Sequence, residues 1–197
     1  MKTNKYIISG GGTGGHIFPA LSIANKIKEE NPGSNILFVG SIGKMEMNKI
    51  PDSGFSIIGL PIDGFQRSLS YRNILFPFKL LISLIKSIFI VIRYKPDAVI
   101  GTGGFASGPV VFISQILGYP TLIQEQNSYA GVTNIILGKR AKLVAVAYPN
   151  MEKFFSKEKI VLTGNPVRKD IIENDLKSLN AKSYFDLDPD KAVIGII

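Results

Sequence analysis

The stretch Gly10-Gly11-Gly12-Thr13-Gly14-Gly15-His16 decides how this chain begins to fold. An apolar strand pattern at 6–9 comes directly before it, and a helical pattern at 17–30 follows it. Its five glycines leave the loop almost without side chains, so its backbone N–H groups can approach a ligand closely. The N-terminus of the following helix also favours negative charge. The stretch therefore predicts a strand–loop–helix unit that binds a pyrophosphate or a nucleotide sugar.

The glycine spacing alone also fits the fingerprint of a dinucleotide site, because Gly10, Gly12 and Gly15 have the required separations. A dinucleotide site places an acidic residue at the end of the second strand, where it binds the ribose. Here the second predicted strand ends in Gly40-Ser41, and the next acid is Glu46. The missing carboxylate argues against nicotinamide and flavin, so we expect no cofactor. A dinucleotide-dependent oxidoreductase is the alternative that a cofactor titration would test.

The composition favours anionic partners and excludes several kinds of metal site. The 197 residues include 23 Lys and Arg against 15 Asp and Glu, which gives a net charge of +8. Such an excess attracts phosphates, acidic lipid surfaces or nucleic acid. Nucleic acid is not expected, because the chain has no aromatic-interleaved basic cluster and no zinc-finger spacing. With no cysteine and one histidine, thiolate and multi-histidine metal sites are excluded, and we predict no metal site.

Strand and helix patterns alternate along the chain. The predicted strands are 6–9, 36–39, 56–60, 98–100, 121–124, 143–147 and 160–162. The predicted helices are 17–30, 44–50, 76–93, 109–117, 133–140 and 151–155. Short, almost wholly apolar strands between helices indicate a parallel sheet that is covered on both faces. The predicted fold class is therefore α/β, a Rossmann-like doubly wound parallel sheet.

Four polar or glycine-rich loops follow strand ends, at 10–16, 101–109, 124–128 and 163–168. We expect them to converge on one cleft, because ligands of such sheets bind beyond the carboxyl ends of the strands. In the second loop, Gly103, Gly104 and Ser107 are candidates for a second anion site, and Ser107 is predicted to cap the next helix. Glu125 either orients the third loop by hydrogen bonding or takes part in substrate binding or base assistance.

Together these loops resemble the MurG family of peptidoglycan glycosyltransferases. The matching motifs are Gly-Gly-Gly-Thr-Gly-Gly-His-Ile-Phe-Pro-Ala at 10–20, Gly-Thr-Gly-Gly-Phe-Ala-Ser-Gly-Pro at 101–109, Gln-Glu-Gln-Asn at 124–127 and Gly-Asn-Pro-Val-Arg at 164–168. The resemblance covers residues 5 to 168. It implies the N-terminal half of a GT-B glycosyltransferase that transfers N-acetylglucosamine, with inversion and without a metal. The donor would be UDP-N-acetylglucosamine and the acceptor muramyl-pentapeptide pyrophosphoryl-undecaprenol.

The resemblance also implies roles for single residues. The positions that match donor contacts are Thr13, Gly14, Gly15, Asn127 and Arg168. His16 matches the family's favoured catalytic histidine. Many members have a histidine before the Glu-Gln-Asn triplet, whereas this chain has Gln124, so we expect no catalytic role there.

His16 is the chain's only histidine, and it stands where the glycine loop meets the helix. A helix N-terminus disfavours the imidazolium form, and a neutral imidazole is what a general base for a sugar hydroxyl needs. We therefore interpret His16 as the base. The alternative is a helix-start histidine that only makes local hydrogen bonds.

The segment 74–92 is almost wholly apolar, with only four polar residues, Lys79, Ser83, Lys86 and Ser87. Its position between two strand patterns predicts a packed crossover helix rather than a membrane span. We also expect its start to dock peripherally on an anionic bilayer. The resemblance implies that this surface is the cytoplasmic face of the bacterial membrane. The predicted patch consists of Leu75, Phe76 and Phe78, ringed by Arg67, Arg72, Lys79 and Lys86.

The predicted organisation is an acceptor-binding domain at 1–168, a polar linker at 169–190, and the first strand of a donor-binding domain at 191–197. We expect most donor contacts to lie beyond this last strand, so the chain alone should be inactive. The alternative is a non-catalytic membrane-anchoring subunit of a split glycosyltransferase.

Overall fold

Seven parallel strands form one sheet in the order β3-β2-β1-β4-β5-β6-β7. The computed structural model describes residues 3–64, 71–167, 181–188, 190, 191 and 193, without the side chains of 71–74 and 181. The strands are β1 (Lys5–Gly10), β2 (Asn35–Ser41), β3 (Ser56–Leu60), β4 (Ala98–Gly103), β5 (Thr121–Glu125), β6 (Leu143–Val146) and β7 (Ile160–Leu162). All seven predicted strands are confirmed, and so is the doubly wound α/β class.

Five helices connect the strands: α1 (Gly14–Glu30), α2 (Glu46–Asp52), α3 (Tyr71–Tyr94), α4 (Ser107–Ile116) and α5 (Val132–Gly138). A short 3-10 helix, Lys157–Lys159, precedes β7. The chain divides into two compact units, Met1–Pro166 and Val167–Ile197. The described part of the second unit contains the single turn α6 (Ala181–Tyr184).

The central strands of the sheet bury alternate residues on opposite faces, because strand side chains have a period of two. In β1, Ile7 packs into one core and Ile8 into the other. In β4, Val99 and Ile100 divide in the same way. The first core receives buried residues of α3, α4 and α5, whereas the second receives those of α1 and α2. Both faces of the sheet are therefore covered, as its apolar strands predicted.

The strand order reverses between β1 and β4. Chain order runs outward from β1 through β2 to β3, then returns through α3 to β4 on the other side of β1. The loops after β1 and β4 therefore leave neighbouring strands at the point where doubly wound sheets open a crevice. Both glycine-rich loops lie at this point.

The polar stripe of α3 faces the protein, and an apolar stripe faces outward. Ser83 and Ser87 are fully buried, Lys79 pairs with Asp63, and the Lys86 ammonium donates to the Gly59 carbonyl at 2.7 Å. In the predicted ring of cations, Lys79 and Lys86 are therefore partly buried, and their ammonium groups bond to groups of the domain itself. Arg67 and the side chain of Arg72 lie outside the described residues.

The outward stripe of α3 runs along most of the helix rather than only its start. Its exposed residues recur at intervals of three and four: Leu75, Phe78, Ile82, Ile85, Phe89 and Ile92. The part Leu75–Tyr94 is long and apolar enough to cross a membrane by length and composition. It nevertheless connects β3 to β4 as a crossover helix, as its place in the sequence predicted.

Two local predictions are wrong. Residues 151–155 form a turn rather than a helix, because the chain enters this segment through Asn150 with a left-handed φ of 61° and leaves it through Ser156 in an extended conformation. Ser107 does not cap α4, because it is already helical and Ala106 occupies the cap position. Its hydroxyl donates to the Gly104 carbonyl at 2.9 Å instead.

Candidate functional site

The two glycine loops pack against each other at the floor of the crevice. The Gly11 N–H donates to the Gly103 carbonyl at 3.3 Å. A side chain at Gly104 would collide with the Gly11 carbonyl, and one at Gly10 would collide with Thr102 Oγ1. Glycine is therefore needed at these positions for the loops to approach each other, whatever ligand the crevice binds.

Glu46 supports the first glycine loop from below. It is fully buried, and its carboxylate accepts the Gly12 N–H at 3.0 Å and the Ser41 N–H at 2.9 Å. A side chain at Gly11 would collide with this carboxylate. Glu46 thus follows the strand that carries the ribose-binding acid in dinucleotide folds, but its two oxygens bind the chain's own backbone. The sequence placed Glu46 after the second strand but did not predict that it supports the glycine loop.

The first turn of α1 offers the free donors of the first loop. The Thr13 carbonyl accepts the N–H groups of His16 at 3.1 Å and Ile17 at 3.2 Å. Thr13 occupies the cap position, but its side chain makes no capping hydrogen bond. Within the described residues, no protein acceptor meets the N–H groups of Gly14 and Gly15. These two groups are therefore available to an anion.

His16 is held between the two loops. Its Nδ1 lies 2.9 Å from the Thr102 carbonyl oxygen, while Thr102 Oγ1 donates to the His16 carbonyl at 2.8 Å. A Cβ at Gly103 would lie 2.8 Å from this Nδ1, so the imidazole also needs glycine at that position. The structure therefore places His16, the predicted base, against Gly103, a predicted binding residue of the second loop. Gly104, the other predicted glycine, is the next residue in the chain.

Glu125 organises the third loop. It is 1% exposed, and four donors saturate its carboxylate. Oε1 accepts the Asn127 N–H at 3.0 Å and its side-chain amide at 3.1 Å. Oε2 accepts the Gly131 N–H at 3.0 Å and the Asn134 amide at 2.9 Å. The geometry favours the loop-orienting alternative for Glu125, while Asn127 keeps an exposed side chain beside the crevice.

The glutamines that flank Glu125 connect the third loop to the second. The Gln126 amide donates to the Thr102 carbonyl at 2.5 Å and to Gln124 Oε1 at 2.7 Å. The Asn165 amide donates to the Gln126 carbonyl at 3.2 Å and brings in the fourth loop. The first three loops therefore meet at Thr102 and the fourth joins them through Gln126, so the predicted convergence is confirmed for these loops. Arg168 lies outside the described residues. No sequence signal identified Thr102 or Gln126 as members of this network.

The arrangement suits an anionic ligand that carries a hydroxyl group to be deprotonated. The N–H groups of Gly14 and Gly15, which meet no acceptor in the described part of the chain, supply positive potential, and one half-buried imidazole supplies a proton acceptor. The carboxylates of Glu46 and Glu125 are already saturated by protein donors. Among the described residues, no group of three or more acidic, cysteine or histidine side chains could hold a metal ion.

A doubly wound sheet with a glycine loop at its switch point defines the class of Rossmann-like domains that bind phosphate-containing ligands. Within this class, the chain belongs to glycosyltransferase family 28, whose N-terminal domain matches residues 6–146.

Two curated relatives carry the same name, UDP-N-acetylglucosamine--N-acetylmuramyl-(pentapeptide) pyrophosphoryl-undecaprenol N-acetylglucosamine transferase. The protein from Flavobacterium psychrophilum is 56% identical over 197 residues, all of this chain and 54% of the relative. The protein from Phocaeicola vulgatus is 52% identical over 193 residues, 98% of this chain and 51% of the relative. The chain therefore spans about half the length of the curated relatives it matches.

A solved structure agrees with the fold. The crystal structure of MurG from Acinetobacter baumannii is similar with a TM-score of 0.71 and 31% sequence identity. The similarity covers 87% of this chain and 49% of that protein. The fold is therefore that of the N-terminal half of a GT-B glycosyltransferase, as the sequence motifs implied.

Proposed function

We propose that this chain is the acceptor-binding half of an inverting, metal-independent hexosyltransferase. Its donor is UDP-N-acetylglucosamine, and its acceptor is muramyl-pentapeptide pyrophosphoryl-undecaprenol. The names of the relatives support both substrates. The observation that carries the proposal is the position of His16, which lies at the N-terminus of α1 beside the second glycine loop and two unpaired N–H groups.

His16 is the general base in this proposal. The acceptor hydroxyl loses its proton to the imidazole, and its oxygen attacks the anomeric carbon from the face opposite UDP. The bond to UDP breaks with its electron pair on the phosphate oxygen. The N–H groups of Gly14 and Gly15 and the charge of Arg168 stabilise the phosphates. Thr13 and Asn127 contribute contacts to the donor at the rim of the crevice.

The second loop is the proposed site for the acceptor pyrophosphate. Gly103 and Gly104 let the loop backbone approach the ligand, and Ser107 begins α4 directly beyond them. Ser107 itself is buried and bonded to the Gly104 carbonyl, so its contribution is to the shape of the loop. Glu125 supports the neighbouring loop in the same way and does not contact the reacting atoms.

The outward stripe of α3 is the proposed membrane contact, at the cytoplasmic face of the cell membrane. Phe78 and Phe89 are 64% and 69% exposed, which suits insertion below the headgroups. Leu80 of α3 and Ile136 of α5 line one apolar groove of about 190 Å³, so the apolar surface continues to α5. The exposed Lys139-Arg140 pair follows α5 and supplies cationic attraction to anionic lipid.

The proposal is tested by extending the chain to the length of its relatives and assaying transfer of N-acetylglucosamine to the lipid acceptor. We expect turnover by the extended protein and none by the 197-residue chain. Lack of transfer by a folded, extended protein would contradict the proposal. Robust transfer by the shorter chain would contradict the two-domain division of donor and acceptor.

A further inference from the structure

We propose that Thr102 is a positioning residue that holds His16 in the tautomer with its proton on Nδ1. Nε2 is then the atom that receives the proton from the acceptor hydroxyl. The inference rests on the proposed role of His16 as the base, and it adds which nitrogen acts and what selects it.

The first observation is that His16 and Thr102 are joined by two hydrogen bonds. The His16 Nδ1 lies 2.9 Å from the Thr102 carbonyl oxygen. In the opposite direction, Thr102 Oγ1 donates to the His16 carbonyl at 2.8 Å. A carbonyl oxygen can only accept, so Nδ1 must carry a proton to make this contact. In a neutral imidazole the only ring lone pair is then on Nε2, which has no hydrogen-bond partner within the described residues.

The second observation is that Thr102's carbonyl is itself held in place. The Gln126 amide donates to the same oxygen at 2.5 Å, and Gln124 Oε1 accepts the second hydrogen of that amide at 2.7 Å. Both glutamines are at least nine-tenths buried. A flipped Gln126 amide would place its oxygen against the Thr102 carbonyl, so the assignment of its nitrogen follows from the network. The Thr102 carbonyl, which accepts the imidazole proton, is therefore also held by a buried amide.

The third observation is the space that Gly103 leaves for the ring. A Cβ at this residue would lie 2.8 Å from Nδ1 and 2.9 Å from Cε1 of His16. Its φ of 101° is also one that other residues rarely adopt. The Thr102-Gly103 pair thus combines a hydrogen-bond acceptor for the imidazole with a surface against which the ring lies.

This geometry determines where the proton of the acceptor hydroxyl goes during transfer. The acceptor O–H bond breaks and its proton forms the new N–H bond at Nε2, while the oxygen bonds to the anomeric carbon. The electron pair of the broken glycosidic bond leaves with UDP. Nδ1–H keeps its hydrogen bond to Thr102 throughout, so the carbonyl dipole stabilises the imidazolium as it forms.

Because the chain contains one histidine, its tautomer can be read directly. The probe is the 197-residue chain labelled with ¹⁵N-histidine and carrying no histidine tag. Two-bond ¹H–¹⁵N correlation spectra of the neutral imidazole distinguish a protonated Nδ1 from a protonated Nε2. We expect Nδ1 to be the protonated nitrogen. A spectrum dominated by the Nε2–H form would overturn the inference.

Two substitutions test whether Thr102 selects the tautomer. Thr102→Val has nearly the same shape but lacks the hydroxyl, so the hydrogen bond to the His16 carbonyl is lost. Thr102→Ser keeps the hydroxyl and is the matched control. Thr102→Val keeps the main-chain carbonyl but loses the hydrogen bond that holds the His16 backbone against it, so we expect a larger share of the Nε2–H tautomer in this variant. Thr102→Ser should keep the parental tautomer, and both variants should have native circular dichroism. A parental spectrum in Thr102→Val would show that the hydroxyl does not position His16 and would overturn that role.

Kinetics of the extended enzyme give a second readout. Thr102→Val should lower kcat by about 10- to 100-fold, less than the ~10²–10⁴ expected when a base is deleted, and leave the KM for the donor close to that of the parent. Thr102→Ser should restore kcat. If the extended parent does not transfer sugar, the proposed function fails, whereas the spectra still decide the tautomer.

Discussion

The carboxylate of Glu46 lies beneath the first glycine loop, where its Oε2 accepts the Gly12 N–H at 3.0 Å. The two residues are 34 positions apart and meet because β1 and β2 are neighbours. One donor of the glycine loop is therefore committed to the protein, and the donors left for a ligand lie further on, at the start of α1. The contact also gives Glu46 a structural role in place of ribose recognition.

Replacing Glu46 with glutamine should destabilise the domain. A glutamine keeps the shape but presents an NH₂ group to one of two backbone N–H donors, Gly12 or Ser41. Losing a buried hydrogen bond to a charged group costs about 1.5–3 kcal/mol. We expect the free energy of unfolding, measured in urea, to fall by about that amount. Asp52→Asn, an exposed acid at the end of the same helix, is the control and should change it little.

The Glu125→Gln substitution separates the two interpretations of Glu125. If the carboxylate organises the loop, the variant loses at least one of four hydrogen bonds and about 1.5–3 kcal/mol of stability. Transfer by the extended enzyme then falls together with the melting temperature. If Glu125 instead acts on the substrate, kcat falls while the melting temperature is unchanged, and our structural interpretation is wrong. The exposed Glu152→Gln variant controls for the loss of one charge.

His16→Ala in the extended enzyme should lower kcat by about 10²–10⁴-fold, because a general base acts in the transition state. Donor binding, measured by calorimetry with the unreactive product UDP, should weaken much less. The decisive comparison is the ratio of the two effects. An unchanged kcat would leave His16 as a helix-start residue whose role ends with its hydrogen bond to Thr102.

The outward stripe of α3 should bind anionic vesicles. Phe78→Ser combined with Phe89→Ser removes two exposed rings and should reduce co-sedimentation with anionic vesicles, without loss of helicity by circular dichroism. Binding by the parent should also weaken as salt screens the cationic contribution.

The control for this experiment is Ile42→Ser combined with Met45→Ser, which removes two exposed apolar side chains from the loop between β2 and α2. This variant should sediment like the parent. Equal vesicle binding by the α3 variant, or no binding by the parent, would place the membrane contact elsewhere.

The sheet was predictable because each of its strands is a short apolar run between loops. A run of this length bounded by glycine or polar residues is typical of a buried strand. The meeting of the four loops was predictable for the same reason, since parallel strands bring their carboxyl ends to one edge. The segment 151–155 has a helix-like composition but only one turn's length, and Asn150 turns the backbone as it enters.

The orientation of α3 was not predictable from its periodicity. A stripe of Lys79, Ser83, Lys86 and Ser87 defines two faces, but periodicity does not say which face meets the sheet. The answer depends on Asp63 and the Gly59 carbonyl, which receive the two ammonium groups from other elements. The Glu46–Gly12 and Thr102–His16 contacts are hidden in the same way, since each joins residues more than 30 positions apart.

The lysine in the middle of α3 also affects how favourably this helix would span a membrane. Lys86 lies near the middle of Leu75–Tyr94, the segment that is long and apolar enough to span a bilayer. A lysine at the centre of such a segment opposes insertion by about 2.5–3.5 kcal/mol. The side chain that bonds to the Gly59 carbonyl in the folded domain therefore also makes this segment less favourable as a membrane span.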